Sequence, residues 1–182
     1  MYGEPLSDPR IARWVSRIHE TLPDSTIRLV TNGDYLNQVK YDELIKAGVT
    51  YFDISKHSPK LARPLLDLLD SLAEEEKKLR FRIKDFYQDY LDQQDMLNTR
   101  GGDVKLKVEK EHPILCSYVT YPVLNTFGDV VLCCNDYHND HKFGNINERS
   151  LYDIWTDPTN IKVRRRIYQG FYDLKLCKNC YM

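Results

Sequence analysis

The sequence predicts an α/β chain in two parts, an N-terminal half in which strands alternate with helices and a small cysteine-bearing C-terminal unit. Three observations predict it. β-Rich runs alternate with helical patterns as far as Phe86, a polar stretch between Gln88 and Lys110 is broken by Gly101-Gly102, and every cysteine lies at or beyond Cys116. Strands separated by helices imply βαβ units and a parallel sheet.

Asp8-Pro9 reads as a helix start, a capping side chain followed by a proline at the first helical position. Ile11, Trp14, Val15, Ile18 and Leu22 then recur at helical spacing and predict one buried stripe. Thr26 to Thr31 reads as a strand closed by Asn32-Gly33, Tyr41 to Ala47 as a helix ended by Gly48, and Val49 to Ser55 as a second strand. Leu61 to Lys78 is expected as one longer helix, with Glu74-Glu75-Glu76 and Lys77-Lys78 at a solvated end. Leu79 to Phe86 alternates apolar with charged residues, as a strand with one wet face does. Further on, Tyr118–Leu124 and Val130–Cys134 predict a hairpin joined through Asn125–Asp129. Ser150 is placed to cap a short helix with Asp153 as its reciprocal partner, and Pro158 to open a helix that stops near Gly170.

At 182 residues, with 42% apolar and 29% charged residues, the composition is that of a globular chain with a packed core. A formal charge of −1 gives no general reason to bind nucleic acid or an anionic membrane, and neither is expected as a partner. No apolar run approaches the ~20 residues needed to span a bilayer. No signal peptide is visible after Met1, so a cytoplasmic location is expected. In that compartment five clustered cysteines point to metal or redox chemistry rather than to disulfides.

The cysteines are arranged Cys116-x16-Cys133-Cys134-x42-Cys177-x2-Cys180. A C-x2-C pair offers two thiolates from one tight turn, and a hairpin can bring Cys116 and Cys133 side by side. Four thiolates suit zinc or an iron–sulfur cluster, and ligand softness does not choose between them. Read as a residue alone, Cys134 is a small buried hydrophobe.

The segment from Cys116 to Cys180 resembles the SPASM/twitch domain of radical S-adenosylmethionine (radical SAM) enzymes. The resemblance rests on Cys116, on Gly128 with Cys133 five positions after it, on Gly144-Asn145-Ile146, on the Ser150–Trp155 helix, and on the closing Cys177 and Cys180. It implies an auxiliary 4Fe-4S cluster held by Cys116, Cys133, Cys177 and Cys180. Because only one C-x2-C pair is present, the one-cluster twitch form is the nearer analogy. The N-terminal half resembles part of the radical SAM (β/α) barrel. Gly3-Glu4-Pro5 looks like the family's Gly-Glu-Pro motif, Thr31-Asn32-Gly33 like the end of the next strand, and Phe52–Ser55 like the strand after it. The resemblance implies that Gly3, Glu4, Pro5 and Ser55 contribute to binding S-adenosyl-L-methionine; read as residues alone, Glu4 is a surface carboxylate and Ser55 a strand-end hydrogen-bonding group.

The expected organisation is a partial radical SAM barrel over 1–98, a linker over 99–115, and a SPASM/twitch domain over 116–182. The family's C-x3-C-x2-C triad, which holds the cleaving cluster, occurs nowhere in the sequence. The chain alone is therefore expected not to cleave the cofactor, and S-adenosyl-L-methionine is expected only with the missing barrel part. The function implied is auxiliary-cluster support for radical modification or oxidation of a peptide or small-molecule substrate, with a further polypeptide supplying the missing strands. The alternative is a zinc-stabilised, non-catalytic interaction module. His138 and His141 are read as loop residues rather than ligands, and Lys162, Arg164, Arg165 and Arg166 as a solvated helix face.

Overall fold

A computed structural model describes residues 3–92, 98–106 and 111–181; residues 107–110 of the expected linker lie outside them. The chain divides into two compact units, Gly3–Asp92 and the part from Gln93 onward.

In the first unit a 3₁₀ turn, Pro5–Ser7, leads into α1 (Ile11–Thr21), β1 (Arg28–Thr31), α2 (Gln38–Ala47) and β2 (Tyr51–Lys56). Helices α3 (Arg63–Ser71) and α4 (Glu74–Arg80), strand β3 (Phe81–Asp85) and α5 (Phe86–Leu91) complete it. The sheet order is β1-β2-β3, all parallel, with Val30 opposite Asp53 and Asp53 opposite Arg82. The mixed α/β class and the parallel sheet follow the sequence; three strands among the described residues do not close a barrel.

Alternation along the strands gives the sheet two different faces. Leu29, Phe52, Ile54 and Phe81 form a core with Leu36, Tyr41, Leu44, Leu65 and Leu68. Phe52 and Phe81 stack at 5.4 Å, and Tyr41 stacks on Phe81 at 5.7 Å. The Tyr41 hydroxyl donates to Glu76 at 2.6 Å, and burial together with that carboxylate raises its pKa. On the opposite face the buried Asp53 lies 3.5 Å from the Arg28 guanidinium and 3.3 Å from the Lys84 ammonium. Gly48 ends α2 at φ 116, a left-handed value that disfavours any side chain, and its N–H reaches the carbonyls of Leu44 and Ile45.

Three sequence readings differ from the structure of this unit. The single helix over 61–78 is two helices, because Leu72 and Ala73 are extended. The charge run marks the second one: Glu74, Glu75 and Glu76 fill its first turn and Lys77, Lys78 and Arg80 its last, matching the helix dipole. The stripe on α1 is buried only at Val15; Trp14, Ile18 and Leu22 are exposed. Helix α1 packs mainly against α2, which leaves the rest of its apolar stripe outward. It also starts later than Asp8-Pro9 suggests, since Asp8 closes the preceding 3₁₀ turn while its carboxylate accepts from the Arg10 N–H.

The second unit contains a 3₁₀ turn at Ser117–Thr120, then β4 (Val123–Leu124), β5 (Asp129–Val131), β6 (Lys142–Asn145), α6 (Leu151–Trp155), α7 (Pro158–Tyr168) and α8 (Lys175–Lys178). The expected hairpin is present as antiparallel β4-β5, but Ser117–Thr120 is helical rather than extended, and β6 adds a third strand. Asp129 anchors this ribbon by accepting from Asn125, Asn145 and Lys142, which together hold its carboxyl down to about 2. The Ser150 cap forms: its Oγ accepts from the Asp153 N–H at 3.1 Å and donates to the Asp153 carboxylate at 2.7 Å. The basic run on α7 is only partly a solvated face. Arg164 stacks on Trp155 at 3.5 Å from the ring centre, and Arg166 pairs with Asp173. The stretch 99–106 packs on the end of the chain. Thr99 N donates to the Tyr181 carbonyl at 3.0 Å, and Tyr181 N donates back to Thr99 Oγ1 at 2.8 Å. Gly101 sits so close that a Cβ there would lie 2.1 Å from Leu176 Cδ1.

Candidate iron–sulfur site

The core of the second unit is built around its cysteines. Cys133 and Cys177 are buried with Val119, Leu132 and Ile167, and Cys116 packs against that cluster. Cys116, Cys133, Cys177 and Cys180 line one cavity whose walls are Val119, Leu132, Ile167, Leu176, Tyr118, Tyr172 and Pro113. Cys134 is not part of that lining. Each of the four sulfurs arrives on a different local structure. Cys116 is the residue before the 3₁₀ turn, Cys133 follows β5, Cys177 lies in α8, and Cys180 follows that helix, its N–H donating to the Cys177 carbonyl at 3.1 Å.

The surroundings both penalise and prepare negative sulfur. Burial pushes the Cys133 and Cys177 thiols up to about 12, and raises Cys116 and Cys134 as well. Against that, the backbone N–H groups of Tyr118 and Val119 favour the Cys116 thiolate, and those of Asn135 and Asp136 the Cys133 thiolate. The side-chain amide of Asn135 donates to Cys180 Sγ at 3.4 Å. Thiols this costly to ionise in an apolar pocket are suited to a cation that shares their charge.

Four sulfurs lining one cavity form a donor set that a thiophilic metal centre takes, zinc or an iron–sulfur cluster alike. His138 instead contacts Asp103 at 3.1 Å, away from any ligand role.

In the first unit the Gly-Glu-Pro and Thr-Asn-Gly segments meet. Glu4 Oε1 accepts from Leu6 N at 3.0 Å and from the Thr31 hydroxyl at 2.5 Å, and Glu4 Oε2 accepts from Asn32 N at 2.9 Å. Thr31 Oγ1 in turn accepts from Gly33 N at 3.0 Å. The carboxylate is thus a clamp between the chain start and the end of β1, with one acceptor position left on Oε2. Glu4→Ala removes three charge-assisted bonds and should destabilise this unit by about 2 kcal/mol, read by urea unfolding. Ser55 lies on β2 opposite Lys84, half-buried, and Gly3 is exposed. Sequence reasoning missed Asn135 and Thr99; the signal for the first was a lone amide directly after the paired cysteines.

Comparison with known proteins agrees with this geometry. Residues 116–181 match the SPASM family, described as an iron–sulfur cluster-binding domain. The chain is thus similar to a radical SAM dehydrogenase and carries a match to an iron–sulfur cluster-binding domain over its last third. It is 27% identical over 183 residues to an S-adenosyl-L-methionine-dependent 2-deoxy-scyllo-inosamine dehydrogenase of Niallia circulans, covering 98% of this chain and 70% of that one. The crystal structure of BtrN in complex with AdoMet and 2-DOIA matches 98% of this chain and 69% of its own with a TM-score of 0.84 at 25% identity. BtrN in an open conformation matches with a TM-score of 0.69 at 21% identity, a likeness of fold, over 98% of this chain and 67% of its own. No described helix of the chain is long and apolar enough to cross a membrane.

Proposed function

We propose that the chain holds one auxiliary 4Fe-4S cluster on Cys116, Cys133, Cys177 and Cys180, in support of radical dehydrogenation of a small-molecule substrate. The observation that carries this reading is the single cavity lined by those four sulfurs. The relative in Niallia circulans, a dehydrogenase of a small cyclic compound by its name, supports the choice of a small molecule over a peptide. When bound, such a cluster supplies a one-electron relay. The chain's own residues do the rest: Val119, Leu132, Ile167 and Leu176 exclude water, and the N–H groups after Cys116 and Cys133 offset thiolate charge.

Binding of S-adenosyl-L-methionine by Gly3, Glu4, Pro5 and Ser55 belongs to this reading only once βα units bearing a C-x3-C-x2-C triad lie along β1. The exposed apolar side chains of Val30 on that strand and of Trp14, Ile18 and Leu22 on and after α1 support such a polypeptide partner segment. The Glu4 clamp holds the Gly-Glu-Pro backbone in place for it.

Anaerobic reconstitution with iron and sulfide tests the cluster. About four irons and four sulfides per chain are expected, with a sulfur-to-iron charge-transfer band that is lost on chelation. Zinc as the sole metal, with no such band, would overturn the reading.

A further inference from the structure

Asn135 directly follows the Cys133-Cys134 pair and is 3% exposed. Its Nδ2 donates to Cys180 Sγ at 3.4 Å, joining residues 45 positions apart. Its backbone N–H favours negative charge on Cys133. One residue therefore faces a sulfur of the ribbon with its main chain and a sulfur of the tail with its side chain. The loop around it is fixed. The Asp136 carboxylate accepts from Asp140 N and His141 N, both at 3.0 Å, and Asp136 N donates to the Cys133 carbonyl at 3.1 Å. Buried between these bonds, the amide has little freedom to turn away from Cys180.

We propose that Asn135 is a positioning residue that raises the reduction potential of the cluster and fastens its Cys180 ligand to the ribbon. The proposal rests on the iron–sulfur reading above. An N–H donated to a thiolate draws electron density from the sulfur, so it favours the reduced, more negative cluster over the oxidised one. The same bond restrains the ligand sulfur, as outer-shell partners do in metal sites generally.

The test is an EPR-monitored redox titration of the reconstituted full chain and of two variants. Asn135→Leu fills the space without a donor. Asn135→Asp keeps the shape and presents an oxygen to the sulfur. Both should shift the midpoint to lower potential by about a tenfold change in the oxidised-to-reduced ratio, about 59 mV for a one-electron couple. Both should also lose iron faster to a chelator. Wild-type potentials and wild-type iron loss in the two variants overturn the proposal, while the cluster reading stands on the wild-type metal content alone. If neither variant loads, wild-type protein carrying isotope-labelled asparagine side-chain amides decides. A hyperfine coupling from one such amide to the reduced cluster supports the proposal, and its absence overturns it.

Discussion

Cys133→Ala should reduce iron and sulfide incorporation to background, whereas Cys134→Ala should leave both near the wild-type level. The two cysteines are adjacent in sequence and both are raised by burial, so acidity does not separate them. The cavity does. Cys133 lines it together with Cys116, Cys177 and Cys180, and Cys134 does not. Circular dichroism of each variant before loading distinguishes loss of a ligand from loss of the fold. Iron retained in Cys133→Ala and lost in Cys134→Ala would reverse the ligand assignment.

Metal uptake by the metal-free protein should strengthen steeply with pH. In that state burial holds the Cys133 and Cys177 thiols up to about 12, from an ordinary value of 9.0, and also raises Cys116. At neutral pH all three are protonated, and each must release its proton to bind. Affinity therefore gains about tenfold per pH unit for each proton released, roughly a thousandfold per unit for three. A thiophilic probe such as Cd²⁺, titrated at pH 6.5 and 7.5 with proton release recorded, measures this; a pH-independent affinity would contradict it. The stability of the metal-free protein has the opposite slope. A thiol whose folded pKa is raised stabilises the fold fully below its unfolded value near 9, and that contribution disappears as pH climbs toward 12. Thermal unfolding of metal-free protein should thus shift to lower temperature above pH ~9.

The parallel sheet was legible because its strands are short apolar runs between turn residues. Phe52 and Ile54 belong on one face by period alone, and the structure buries them both. The break at Leu72-Ala73 was not legible, since neither residue disfavours a helix and the charges around them suit one long helix as well as two. Strand β6 was hidden because Lys142–Asn145 lies among polar residues and carries Gly144, a poor strand former. The exposure of Trp14, Ile18 and Leu22 could not be read from helical spacing, which reports an apolar face but not what covers it. At the candidate site the C-x2-C spacing pointed to the two tail sulfurs, which do line the cavity. The Asn135 contact with Cys180 depends on side-chain direction across 45 residues, which no local pattern encodes.

Thr99 fastens the final turn at both edges, to Asn179 and to Tyr181. Ordering a backbone residue costs about 1–2 kcal/mol, and these two bonds offset part of that cost for the turn that carries Cys177 and Cys180. They do so through main-chain and hydroxyl groups that are no part of the thiol cavity. Chelation should strip the metal while leaving amide protection at Tyr181 intact, so that repeated loading and unloading is reversible on one folded scaffold.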